Sequence, residues 1–390
     1  MENIFAAWRE FRRGKGRKPD VQEFELNLED NLFGLQEELK DKTYKHSHYT
    51  SFYVRDPKLR HIHKATVRDR VLHHAVFRVL YPLFDRGFIF DSYSCRLEKG
   101  THRAVDRLEK FCRQLSRNNH QTIFALKCDV RKFFDSVNQE ILLNLIRKRV
   151  GDEETIWLVE KIIGSFKKVP PLRGAAAKVP LRKGENSRQR IGGCINVVSS
   201  CKDKFSRSWK SPHPTSPHGR GGVFIAPLIK GVGGFVGLPL GNVTSQLFAN
   251  IYLDELDQFI KHELKIEHYL RYSDDFVILN EDKRCLFSLI PLINKFLQEK
   301  LKLDLHERKI IVRKYSQGVD FLGYVALPHY RVLRTKTKRR ILRKIKNKFQ
   351  DLKNGLISKE SFNQSLQSYF GVLGHCAGQG IKKDIENMIS

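Results

Sequence analysis

The chain has 390 residues, enough for two average domains or one large enzyme with subdomains, and 41% of them are apolar, which allows a sizeable core. Its 71 Lys and Arg against 43 Asp and Glu leave a formal charge of +28, spread along the whole chain. That balance points to a polyanionic partner, nucleic acid first, and argues against an amphipathic membrane helix; no stretch approaches the roughly 20 apolar residues that cross a bilayer.

The segment MENIFAAWREFRRGKGRK is not patterned as a signal peptide, because its short apolar stretch precedes the basic run. Seven scattered cysteines (95, 112, 128, 194, 201, 285, 376) lack CxxC spacing, which suits reduced thiols and a cytoplasmic location better than disulfides or zinc. Leu28, Leu32, Leu35 and Leu39 recur at helical spacing. RDPKLRHIHKATVRDR reads as a basic loop running into a buried helix, VLHHAVFRVLYPLF. A strand is predicted from Thr122 to Val130, breaking into a helix that continues through ILLNLIRKRV, with a second helix at ETIWLVEKIIGSF.

Residues 167–236 differ in kind. They hold 14 Lys and Arg against Glu185 and Asp203, with 7 prolines and 10 glycines, and SWKSPHPTSPHGRGG has no periodicity. This composition predicts a basic, irregular insertion. Patterning resumes at GLPLGNVTSQLFANIYLDELDQFI, a turn feeding a long helix. HYLRYSDDFVILN reads as strand, tight turn, strand, and LINKFLQEKL as a helix. KIIVRKYSQGVDFLGYVAL reads as two strands joined at Ser316-Gln317-Gly318. A basic helix from Thr335 puts Ile341, Ile345 and Phe349 on one face, and two short helices follow.

Two acidic clusters lie at strand ends: Asp129 closes one apolar strand, and Asp274 with Asp275 fills the turn of a hairpin. Adjacent carboxylates between apolar strands repel and force a proton onto one of them unless a cation intervenes. Carboxylate oxygens are hard ligands of the kind Mg²⁺ takes alongside substrate phosphates. Two such ions roughly 3.5–4 Å apart clamp the attacking and leaving oxygens of a phosphoryl transfer. A lone Asp-Asp turn is ordinarily a solvated hairpin tip, so the surrounding motifs decide.

Four ordered motifs resemble those of reverse transcriptases: KCDVRKFFDSV, GLPLGNVTSQLFANIYL, RYSDDFVIL and FLGY. The resemblance covers 55–330 outside the insertion. It implies an α+β right-hand polymerase with N-terminal helices and fingers over 1–121, palm over 122–166 and 237–330, the insertion at 167–236, and a helical thumb over 331–390. It further implies RNA-directed DNA synthesis with two Mg²⁺ ions, Mn²⁺ being a substitute, held by Asp129, Asp274, Asp275 and the Val130 carbonyl. Lys309 matches a lysine that protonates leaving pyrophosphate. Lys58, Arg60, Arg68, Leu240, Gly241 and Gln246 match the nucleotide pocket, and Phe134 matches the ring that excludes a ribose 2′-hydroxyl. Phe321, Leu322, Gly323 and Tyr324 match the primer grip.

GLPLGNVTSQ departs from the commoner pattern, with Leu240 and Gln246 standing where glutamine and proline are usual. With FIFDSYSCRLEKGTHRAV, this variant resembles the reverse transcriptases of diversity-generating retroelements. That branch implies error-prone copying of template RNA from an RNA or DNA primer with dNTPs, beside a small basic accessory variability protein. The alternatives are a group II intron-type or retron-type reverse transcriptase, or a non-catalytic RNA-binding palm. Neither a zinc-nuclease cluster nor a separate acidic RNase H constellation is legible, and no membrane partner is expected.

Overall fold

The computed structural model describes residues 1–55, 59–166 and 237–389. Three helices, α1 (Glu2–Arg12), α2 (Pro19–Leu26) and α3 (Leu28–Lys40), open the chain. Ile4, Ala7, Trp8 and Phe11 make one buried stripe on α1, which lies against α4 (Val67–Asp85). The apolar stripe of this first helix is thus part of the core.

The stretch read as a basic loop contains half of a hairpin instead. Strands β1 (Thr50–Arg55) and β2 (Leu59–Lys64) pair antiparallel, with Phe52 opposite Ile62 and Val54 opposite Arg60. Charged residues near its tip obscure the alternation, yet Phe52, Val54 and Ile62 share one face, as period two requires.

After α5 (Thr101–Leu115) comes β3 (Phe124–Asp129), shorter than predicted at both ends. The following helix is not continuous. A single turn, α6 (Phe133–Ser136), stops at Val137, and Asn138 restarts the chain as the N-cap of α7 (Gln139–Arg147), accepting from the Ile141 N–H at 2.9 Å. Then come α8 (Glu153–Gly164) and α9 (Val243–Gln258); the predicted insertion at 167–236 lies outside the described residues.

The central sheet is completed by β4 (Tyr269–Tyr272), β5 (Asp275–Asn280) and β6 (Ile311–Lys314), with α10 (Lys283–Leu301) between the last two. Its order is β4-β5-β3-β6, and every pairing is antiparallel. The main hydrophobic core joins the inner side chains of this sheet, such as Leu126, Cys128, Phe276 and Ile278, to the N-terminal helices and α7–α10. The opposite sheet face, with Ala125, Leu270, Val277 and Leu279, packs on α5 through Ala104, Leu108 and Phe111.

The segment predicted as two strands joined at Ser316–Gly318 divides differently. β6 belongs to the central sheet, whereas β7 (Val319–Phe321), β8 (Tyr324–Ala326) and β9 (Arg331–Leu333) form a separate one. The tight turn is at Leu322-Gly323, where both residues have positive φ, 53° and 95°. Helices α11 (Thr335–Lys353), α12 (Lys359–Leu373) and α13 (Gln379–Ile389) close on a small core of their own, which includes Ile341 and Ile345 as expected. Mixed helices and antiparallel sheets make the fold α+β. Among the described residues no helix is long and apolar enough to cross a membrane.

Candidate active site

Three carboxylates meet at one end of the central sheet because the register puts them there. Asp129, the last residue of β3, stands opposite Asp275, the first of β5. Asp274 sits in the two-residue loop between β4 and β5, beside Ser273, whose φ of 52° is left-handed. A non-glycine residue in that region costs on the order of 1–3 kcal/mol and persists only where its surroundings impose it.

Those surroundings are visible. The Val130 N–H donates to the Asp274 carbonyl at 3.0 Å, tying the loop to the end of β3. From below, Arg271 on β4 is completely buried. Its guanidinium grips Asp257 of α9 with two bonds, Nε to Oδ1 at 2.7 Å and Nη2 to Oδ2 at 2.6 Å. It also donates to the Ser273 carbonyl at 3.3 Å, Asn250 Oδ1 at 3.2 Å and Ser92 Oγ at 2.8 Å. The Tyr269 hydroxyl adds a bond to Asp257 Oδ1 at 2.6 Å. Such a pair offsets the cost of burying charge only when its remaining polar atoms are also bonded, as they are here.

On the other flank, residues 304–309 run beside the end of β3. The N–H groups of Arg131 and His306 donate to the carbonyls of Asp304 and Asp129, each at 2.8 Å. This brings the Lys309 ammonium onto Oδ1 of Asp129. Lys127 Nζ lies 3.4 Å from Asp275 Oδ1, but that buried oxygen receives no well-formed hydrogen bond. Withdrawal from water, then the charges of Asp129 and Asp275, push the Asp274 carboxyl up to about 6. Asp275 is raised as well, first by the same loss of water.

This donor set fits divalent cations. One buried carboxylate oxygen lacks a donor, and one carboxyl is pushed up to about 6 by withdrawal from water and by its two acidic neighbours. Among the described residues no three acidic, His or Cys side chains form a ready-made metal cage. Mg²⁺ needs none, since it commonly takes one or two carboxylates and fills its octahedron with substrate phosphates and water.

The other expected residues fall at several places. Phe133 is core, whereas Phe134 is partly buried against it, with the two rings edge to face at 5.2 Å. Gly237 joins this region to the turn before α9, since a Cβ there would lie 3.4 Å from the Phe134 carbonyl oxygen. In that turn the Leu240 carbonyl accepts from the His63 N–H of β2 at 2.9 Å. Gly241, at φ 121°, lets Ile62 approach so closely that a Cβ would meet it at 3.1 Å. Arg60 is exposed on the same face of the hairpin as Ile62, and therefore on the side that meets the Leu240-Gly241 turn. Gln246 is half-buried in the first turn of α9.

Arg68 is engaged elsewhere, pairing with Glu38 of α3 and lying over the Tyr44 ring. Lys58 is outside the described residues. Phe321 and Tyr324 are buried at the feet of the β7–β8 turn, with Leu322 and Gly323 at its tip. Sequence reasoning missed Lys127 and Arg271. The signal for Arg271 was present, a lone arginine inside the apolar strand YLRY.

The family model for reverse transcriptase (RNA-dependent DNA polymerase) matches residues 226–326, which include the Asp274-Asp275 hairpin. The chain is similar to protein YkfC of Escherichia coli, 21% identical over 300 residues that are 68% of this chain and 63% of that protein. It is similar to the group II intron-encoded protein LtrA of Lactococcus lactis, 21% identical with 76% and 51% covered. With nuclear intron maturase 1 of Arabidopsis thaliana the identity is 25%, over 54% of this chain and 28% of that one. Among solved structures, apo telomerase of Candida tropicalis superposes with a TM-score of 0.46 at 13% identity, covering 74% of this chain and 55% of that one. The likeness to reverse transcriptases thus rests on the matched segment 226–326 and on relatives 21–25% identical to this chain. The chain spans less than two thirds of the length of each of the three curated relatives.

Proposed function

We propose that the protein is an RNA-directed DNA polymerase with the right-hand arrangement: fingers within 1–121, palm over 122–166 and 237–330, and thumb over 331–390. The observation that carries this reading is the convergence of Asp129, Asp274 and Asp275 at one end of the central sheet, with the last two inside the segment that the reverse transcriptase family model matches. Asp129 and Asp274, with Asp275 and the Val130 carbonyl alongside, would hold two Mg²⁺ ions, or Mn²⁺ in their place. Bound there, such ions lower the charge on the attacking and leaving oxygens of a phosphoryl transfer.

The remaining roles belong to the chain's own residues. The primer 3′-hydroxyl loses its proton to solvent and its oxygen bonds to the α-phosphorus of a dNTP while the bond from that phosphorus to pyrophosphate breaks. Arg60, on the hairpin face that meets the Leu240-Gly241 turn, contacts the triphosphate, where a guanidinium fork suits phosphate oxygens. Lys309 leaves Asp129 and gives its proton to the departing pyrophosphate. Phe134 presses on the sugar, and the turn from Phe321 to Tyr324 steadies the primer end. Template RNA lies across the palm, consistent with the +28 charge.

Leu240 supports the finer reading, an error-prone enzyme of a diversity-generating retroelement working with a small basic accessory protein. It is a half-buried apolar side chain in a turn fastened to β2. A group II intron-type enzyme is the second reading, favoured by the names of the relatives. Extension of a DNA or RNA primer on an RNA template with Mg²⁺ and dNTPs tests the activity. Sequencing the cDNA separates the two branches by its errors at adenines.

A further inference from the structure

The β4 edge of the central sheet carries a feature that the polymerase reading does not use. Residues 91–93 line that edge: the Arg271 N–H donates to the Asp91 carbonyl and the Tyr93 N–H to the Arg271 carbonyl, both at 3.4 Å. They hold Phe90 just outside the sheet, where it is 64% exposed. The Phe90 and Tyr93 rings stand perpendicular, centroids 6.0 Å apart. The Lys99 ammonium fills the corner between them, 3.5 Å from one centroid and 4.0 Å from the other.

A single exposed phenylalanine is ordinary. This one is distinguished by the charge around it. Arg107, 5.2 Å from the ring, is neutralised by two bonds to Asp91. Lys99 and the exposed Arg103 instead donate to the main-chain carbonyls of Phe90 and Glu98, so neither is held by a carboxylate in a direct hydrogen bond of the kind Arg107 makes. Partial burial and then neighbouring Arg96 lower the Lys99 ammonium to about 8, so it remains mostly protonated at neutral pH. A mostly exposed ring with an ammonium over one face meets both needs of an unpaired nucleotide, a surface for the base on the side that Lys99 leaves and positive charge for its phosphates.

We infer that Phe90, with Lys99 and Arg103, is a stacking site for an unpaired base of bound RNA at the β4 edge of the sheet. The inference rests on the chain handling RNA, and its test does not require polymerisation. Full-length protein is titrated with a fluorescein-labelled 15-nucleotide oligoadenylate, and separately assayed for extension of a short, fully paired RNA–DNA primer-template. Stacking is worth roughly 1–3 kcal/mol per base, so Phe90→Ala should weaken oligoadenylate binding about fivefold or more, with extension of the short duplex unchanged. Phe90→Trp should keep the affinity and show tryptophan quenching beyond that of the parent chain. Unchanged affinity in Phe90→Ala, or no added quenching in Phe90→Trp, overturns the site and makes an acidic protein surface the better occupant. Phe90-dependent binding in a parent protein that extends no primer would instead keep the site and remove the polymerase reading.

Discussion

Asp129 and Asp275 face each other across the β3–β5 register, and the neighbouring Asp274 carboxyl is lifted to about 6 by loss of water and by their charge. In the unfolded chain an aspartate titrates near 3.9. Between about 4 and 6 the folded protein therefore holds a proton that the unfolded chain has released. This site's contribution to stability falls as pH rises through that window. A divalent cation offsets the repulsion once the carboxylate is ionised and must compete with the proton below about 6. Millimolar Mg²⁺ should accordingly raise the Tm above that pH and have little effect a unit below it. Thermal unfolding with and without Mg²⁺ across the range checks this; a Mg²⁺ effect of equal size at every pH would argue against ligation by these carboxylates.

Phe134 should select deoxynucleotides. Its neighbour Phe133 is fully in the core, whereas Phe134 is only partly buried against it and keeps some ring surface for the sugar. Discrimination by a ring is steric, so Phe134→Ala or Phe134→Val should raise ribonucleotide incorporation relative to the parent. Single-nucleotide kinetics with paired rNTP and dNTP substrates measure it. Unaltered sugar selectivity would return Phe134 to packing alone.

Arg271 should matter for stability before it matters for chemistry. Arg271→Met leaves Asp257 buried without its partner, a change that typically costs roughly 3–5 kcal/mol. It also removes the bond to the Ser273 carbonyl that supports the left-handed turn. Arg271→Lys keeps a charge but not the fork, and should fall between the two. Denaturant unfolding ranks the three proteins, and a near-neutral Arg271→Met would mean that the turn is held by β4–β5 pairing and the Val130–Asp274 bond without it.

Much of this site is legible in the residues. Apolar runs flanking Asp274-Asp275 give a hairpin, and Phe124–Asp129 gives the strand that meets it, because side-chain alternation is local information. The meeting of Asp129 with Asp275 is a matter of register between strands some 145 positions apart, which no local pattern encodes. The break at Val137-Asn138 had a signal, an asparagine able to cap, but FFDS before it also reads as helix. β6 and β7 read as one hairpin because their alternation is similar, although they end in different sheets. The β1–β2 hairpin was hidden by its charge, since Arg60 and Lys64 lie on the same face as the buried Ile62.

Leu240 should lower fidelity at template adenines. A glutamine there would bring hydrogen-bonding groups to the nucleotide pocket, each bond worth about 0.5–1.5 kcal/mol net, whereas leucine brings none. About 1.4 kcal/mol is a tenfold rate difference, so Leu240→Gln should reduce misincorporation opposite adenine by up to roughly tenfold, and less at other bases. Sequencing cDNA made by both proteins on one adenine-containing RNA decides it. Identical error spectra would remove the physical support for the mutagenic branch and favour the intron-type reading.

The central claim, that Asp129, Asp274 and Asp275 carry metal-dependent DNA synthesis on RNA, is tested most directly by primer extension with the parent and Asp274→Ala proteins side by side. Removing one carboxylate from a site built to stabilise charge in the transition state should reduce nucleotide addition by at least about 100- to 1000-fold. The variant should still unfold cooperatively and bind RNA, because Asp274 is linked to the fold chiefly through its main-chain carbonyl. A Mg²⁺-dependent parent activity lost in folded Asp274→Ala is the result predicted. Near-normal extension by the folded variant, or no extension by the parent on any primed RNA, would contradict the assignment.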